Sequence, residues 1–259
     1  MMDITHLPSR DHPVVHHVSP ADTFNWLKLG WRDLKKAPAD AVFYGAVFVI
    51  MGYLLVFYFK DAPEVVITLA ALFLLAGPFL AIGLYDIARQ LEIFKGTRVN
   101  LVHSMLAWRA NIPSFTLYAA LLAVLVFGWF RVSLLMFALF YDTSAPTLAL
   151  LVSEAWSPEH LAFLIAYFGA GLIFAVVVFS VSVIAIPMML DKEIDTISAM
   201  AVSVQAVHKN LMTMVCWAAI IVILTAIGFA TYFVGLMVLI PLIGLSTWHA
   251  YRSIITYER

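Results

Sequence analysis

Charge is scarce in this chain. Of its 259 residues only 12% are charged and 63% are hydrophobic, whereas a soluble domain carries about 25% charged residues. A water-soluble fold of this length has too little polar side chain to cover so much apolar surface. The composition therefore points to lipid as the solvent, because a helix there satisfies its own backbone hydrogen bonds and needs no polar exterior. Cysteine is almost missing too. The single Cys216 lies in an apolar run, which excludes an intramolecular disulfide and the Cys-rich zinc and iron–sulfur patterns. There is no excess of basic charge, the formal net charge being -1, so nucleic acid is not an expected partner. P-loop, dinucleotide-binding, zinc-protease and nucleophile-elbow patterns are absent as well. Residues 1–38 contain no apolar core of signal-peptide length, and the first span is expected to act as its own insertion signal.

What the chain does contain is a series of long apolar runs. A 30 Å hydrocarbon layer needs about 20 apolar residues per helical crossing. By that measure the sequence predicts an all-α, polytopic transmembrane helical bundle with six spans, at about 39–59, 65–85, 112–130, 161–190, 211–229 and 234–249. Residues 1–18 read as a polar, His-containing cytoplasmic tail and 19–259 as one membrane domain. Lys60-Asp61-Ala62-Pro63 marks a turn after the first span. Arg131 is costly at mid-membrane, by roughly 2.5–3.5 kcal/mol on insertion scales, so the third span is placed before it and 131–160 is read as an outer loop. The run from Leu161 exceeds one crossing, and Pro187 is the expected bend. Gly228 and Gly235 bracket an aromatic stretch that suits a tight interfacial turn between the last two spans. In this arrangement thirteen basic residues, from Arg10 to Arg259, fall on one side and only Lys60 and Arg131 on the other. That bias places both termini in the cytoplasm.

The segments before spans one, three and five suggest three repeated helical hairpins, each preceded by a cytoplasmic amphipathic helix. Trp31-Arg32 echoes Trp108-Arg109, and His208-Lys209-Asn210 echoes Arg109-Ala110-Asn111. Pro78, Pro187 and Pro241 are candidate helix breaks, and eight residues beyond them stand Asp86, Asp195 and His249. The alternative reading is that every hairpin simply ends in polar residues where it meets water.

Candidate ligand or lipid-headgroup residues are His249, Tyr251 and Arg252 at the end of the last span, Asp191 after the fourth, and Asp86 with Arg89 after the second. A titratable imidazole beside a fixed cation suits an anionic headgroup. The plainer reading is that Trp248 and Tyr251 anchor the helix, Arg252 snorkels and His249 bonds a neighbouring helix end. Asp191, Glu193 and Asp195 form an acidic patch able to pair with Arg32, Arg89 or Arg252. His12 and His16 lack a third ligand, and Met188, Met189, Met212 and Met214 pack cores more often than they bind copper, so no metal, cofactor or catalytic residue is assigned.

Several stretches resemble one family: Gly30-Trp31-Arg32-Asp33-Leu34, Ala76-Gly77-Pro78-Phe79, Leu135 to Phe140, Ser182 to Asp191, and Gly244 to Arg252. They are similar to bacterial predicted integral membrane proteins grouped as domain-of-unknown-function family 2189. The family pattern has His-Ala where this chain has Leu245-Ser246, so a two-histidine site is not carried over. The resemblance implies a multi-pass protein of the bacterial inner membrane without an established activity. Function is then expected to be that of a non-catalytic accessory or scaffold component, in contact with the lipid bilayer and other membrane-protein subunits. The alternative is a transporter or channel for a small neutral or amphiphilic solute. A membrane enzyme built on His249, Tyr251, Arg252 and Asp191 ranks third.

Overall fold

The structure is a computed structural model and describes residues 12–58, 77–96, 99–140 and 158–258. The expected turn at Lys60–Pro63, the first half of the second span, most of the outer loop and the first eleven residues lie outside the described residues. Strand β1 (His12–Val15) leads to the amphipathic helix α1 (Asp22–Lys36) and the apolar helix α2 (Pro38–Tyr58). Residues 77–80 are helical and precede α3 (Ile82–Ile93). A short helix α4 (Leu101–Met105) and a 3-10 turn (Ala107–Asn111) feed α5 (Ile112–Phe140). Then come α6 (Pro158–Ser182), α7 (Ala185–Asp191), α8 (Thr196–Lys209), α9 (Leu211–Ala230), α10 (Leu236–Ile254) and strand β2 (Ile255–Glu258).

Among the described residues four stretches are long and apolar enough to cross a membrane: Pro38–Phe57, Ala107–Phe140, Leu161–Asp191 and Leu211–Ala230. The chain is thus a helical membrane protein with several apolar helices. α10 lies outside this set because Ser246, Thr247, His249 and Arg252 dilute its second half.

Three details differ from the sequence reading. α5 runs unbroken through Arg131, so 131–140 is helix and not loop. Arg131 is its twentieth residue and stands about 28 Å from Ile112 at 1.5 Å per residue, about one hydrocarbon thickness. There the exposed guanidinium lies 5.1 Å from the centre of the Phe127 ring, one turn back. The bend in the fourth run falls at residues 183–184, not at Pro187. Proline has no N–H for the carbonyl four residues earlier, which is that of Val183. The Ser203 hydroxyl enters the same break: it donates to the Ser180 carbonyl (2.7 Å) and accepts from the Ile184 N–H (3.2 Å), separating a pair that would bond in an intact helix. Lastly, the terminal tail is not free from His12 onward. β1 pairs antiparallel with β2, His12 opposite Glu258 and Val15 opposite Ile255, and Asn210 holds the next residues by accepting from the Val18 N–H and donating to the His16 carbonyl.

α10 is the centre of the bundle, packed against α1, α2, α3 and α9. In lipid, apolar side chains gain little by leaving the solvent, so helices associate where small residues allow close packing. A Cβ on Gly45 of α2 would stand 2.1 Å from the Met237 carbonyl oxygen of α10. That carbonyl is the one freed by Pro241, four residues on, and Gly45 is what lets α2 approach it. Gly30 of α1 abuts Ser246, and Gly244 abuts Leu84 of α3. Elsewhere Gly171 receives the Trp129 ring of α5, whereas Gly169 has nothing within 4 Å. The turn between α9 and α10 holds Tyr232 and Phe233 at φ of 52° and 67°, and Thr231 closes it by accepting from Gly235 N–H and donating to the Gly228 carbonyl.

Candidate functional site

The charged residues that the sequence singles out converge on one polar layer, formed where α3, α7 and α10 meet and covered by α1 and the α4 segment. Each arrives there because an apolar helix ends in polar residues just beyond its buried stretch. At the α3 corner Asp86, 0% exposed, accepts from Arg89 (2.8 and 3.1 Å), from Gln90 (2.7 Å) and from His103 Nδ1 (2.8 Å). A buried carboxylate is tolerated only when its lone pairs are taken up in this way. Arg89 also donates to the Leu190 carbonyl at the end of α7 (3.0 Å), which joins the corner to the next helix.

Between α3 and α10, Glu92 accepts from the Trp248 indole (2.9 Å) and from Arg252 (2.9 and 3.0 Å). Asp191 accepts from the Tyr251 hydroxyl (2.7 Å) and lies 3.6 Å from Arg252. Burial first, then the charges of Tyr257 and Asp191, push the Tyr251 hydroxyl well above its ordinary range, so it stays protonated and donates. For Arg252 partial burial opposes the charged form, but Glu92 and Asp191 outweigh it and raise its pKa. On the opposite side of α10, His249 Nε2 bonds Asp33 Oδ2 of α1 at 2.6 Å, with Asp33 only 3% exposed.

All six residues named from the sequence as ligand or headgroup candidates thus lie in this layer, and each is bonded within it. His249 bonds a neighbouring helix, as the plainer reading has it. Trp248 and Tyr251 are buried at 1% and 0% exposure and are not an interfacial belt. Among the described residues, Asp191 is the member of the acidic patch that meets an arginine. Asp195 instead caps α8 by accepting from the Ser198 N–H (2.9 Å), a bond that holds its carboxyl below the usual range. Of the three prolines, Pro241 lies inside α10, Pro187 is in the first turn of α7, and Pro78 lies in the helical residues 77–80.

Sequence reasoning missed Asp33, Gln90, Glu92, His103 and Ser203. Asp33 carried a usable signal, since it follows Trp26 and Gly30 at helical spacing on the buried face of α1. His103 and Ser203 carried none, because their partners come from other segments. Among the described residues no group of three metal-ligating side chains occurs. A shallow depression of about 420 Å³ opens beside the 3-10 turn, lined by Arg109, Asn111, Ser114, Glu193 and Asp195 among others. It mixes both signs of charge.

Residues 65–191 match a family model described as predicted integral membrane protein (DUF2189). The match covers just under half of the chain. The match bears out the resemblance and agrees with the apolar helices, and its description names no activity. The family segment contains Asp86, Arg89, His103 and Asp191, while Asp33, His249 and Arg252 lie outside it. No curated protein and no solved structure matches the chain.

Proposed function

We propose that this chain is a non-catalytic component of the bacterial inner membrane, an accessory or scaffold subunit crossing the bilayer six times with both termini in the cytoplasm. The observation that carries this reading is the way the polar layer consumes its own charges. Asp33, Asp86, Glu92 and Asp191 are each met by a cation, an imidazole or a hydroxyl of the same chain. Asp33 and Asp86 are buried, and a group engaged in a buried pair is expensive to release, so the layer suits the locking of helices better than turnover of a substrate. The apolar helices meanwhile present broad faces outward, such as Ile165, Phe168, Leu172 and Val176 on α6, available to lipid or to neighbouring subunits.

The three-hairpin arrangement is supported by bonds that recur at corresponding positions. Asn111 and Ser114, at the start of α5, both donate to the carbonyl of Ile194 just before α8. Asn210 and Thr213, at the start of α9, hold His16 and Val18 just before α1 in the same manner. Asp86 meets His103 of the following amphipathic segment, and His249 meets Asp33 of the first one. The chain order thus closes on itself, as three hairpins around a common centre would require.

A transport path along that centre is the weaker reading. The inner helices meet there through Leu84, Ile87, Ile186, Met188 and Leu245, all 0% exposed. Purification in mild detergent followed by native mass measurement tests the proposal, with co-migration of a second membrane protein as the expected result. A chain that always migrates alone, and that confers solute uptake on liposomes, would overturn it in favour of transport.

A further inference from the structure

The outward faces of the amphipathic segments belong neither to the bundle core nor to the polar layer. On α1, Thr23, Trp26, Gly30 and Asp33 are buried, and Trp26 packs edge-on against Trp217 of α9. The other face shows Phe24, Lys28, Trp31 and Lys35 at helical spacing, all exposed, with Phe24 at 71%. Lys35 lies 5.4 Å from the centre of the Trp31 ring. α4 and the 3-10 turn after it repeat this chemistry: Val102 is 66% exposed, and Arg109 lies 5.5 Å from the exposed Trp108 ring. On α8 the outward residue Ile197 is 60% exposed.

Rings and aliphatic groups interleaved with cations are poorly suited to bulk water and equally to pure hydrocarbon. They suit the boundary between acyl chains and phosphates, where the ring takes the apolar side and the cation reaches the headgroup. Each of these segments is joined directly to an apolar helix, α1 to α2, the 3-10 turn to α5 and α8 to α9. They are therefore held at the depth where those helices enter lipid. α1 is fixed there by its contacts to Ser246 and His249, near the polar end of α10.

We propose that these three segments form a collar seated in the headgroup layer of an anionic bilayer, with Lys28, Lys35 and Arg109 facing lipid phosphates. The collar follows from the membrane location of the chain and does not depend on the accessory role. Two measurements test it on the whole protein in nanodiscs. Spin labels are placed by Phe24→Cys, Val102→Cys and Ile197→Cys, each in a Cys216→Ser background. The expected result is accessibility to oxygen well above that to a water-soluble nickel chelate, at headgroup depth for all three. Labels open to nickel would show a water-facing surface and overturn the proposal. Labels shielded from both reagents would show a protein covering the collar and overturn it equally.

The second measurement compares unfolding temperature in phosphatidylcholine with that in a mixture containing phosphatidylglycerol. The anionic lipid should raise it, and the combined change Lys28→Gln, Lys35→Gln, Arg109→Gln should reduce that rise by at least half. An equal response to the two lipids would remove the anionic preference. Failure to find a partner subunit would leave both readouts unchanged, so the two proposals fail separately.

Discussion

Asp33 and His249 show at the residue scale why a buried charge stays in this chain. They join α1 to α10 beside the close contact of Gly30 with Ser246. Removing one partner strands the other, at a cost of about 3–5 kcal/mol for a buried pair. His249→Phe should therefore lower the thermal midpoint in detergent sharply, and His249→Phe with Asp33→Leu should recover part of the loss in a double-mutant cycle. Gly45 provides a steric counterpart. Gly45→Ala sets a methyl group against the Met237 carbonyl and should cost about 1–3 kcal/mol, read as a lower melting temperature, whereas the same change at Gly169, which has open space around it, should not. Asp195 supplies the pH dependence. Its carboxyl is held below the ordinary value of about 3.9 by the Ser198 bonds, so its contribution is complete above that value and disappears as pH falls through the lower folded value. Asp195→Asn should keep the cap and flatten the acid limb of the stability profile, and Asp195→Ala should cost roughly 1 kcal/mol near neutral pH.

The bend between α6 and α7 is decided by a residue from a different helix. Ser203 is 0% exposed and satisfies both backbone groups of the broken 180–184 pair. Ser203→Ala should leave both without a partner and cost about 1–3 kcal/mol, with faster hydrogen exchange at the Ile184 amide as the direct readout. Pro187 was visible in the sequence as the cause of a bend, but its position was not, since the freed carbonyl lies one turn earlier and the inserted hydroxyl comes from α8. Arg131 shows the opposite case. The sequence suggested a boundary there because insertion costs were judged for a charge at mid-membrane. In the fold α5 continues through the arginine, about one hydrocarbon thickness from its start, and helix geometry prevails over the local signal. Asp86, Arg89, Asp191, His249, Tyr251 and Arg252 were legible as a group because each ends an apolar run in polar residues. Their partners Asp33, Glu92 and His103 were not, because pairing is a matter of which helix ends meet.

For the molecule as a whole, the antiparallel pairing of β1 with β2 puts residues near the two ends of the chain on one side of the bundle. Reporter fusions after Glu258 and before His12 should therefore give the same topology, and the basic-residue bias predicts that both report the cytoplasm. Opposite signals from the two would contradict the pairing. That the chain resides in lipid, that it is helical and where its apolar runs lie can all be read from residue order alone, because solvent preference and backbone satisfaction are summed residue by residue along the chain. Which charges neutralise one another, which glycine admits which carbonyl and where a helix bends emerge from the packed bundle. Those outcomes depend on distances between segments far apart in sequence, and no local pattern encodes such distances.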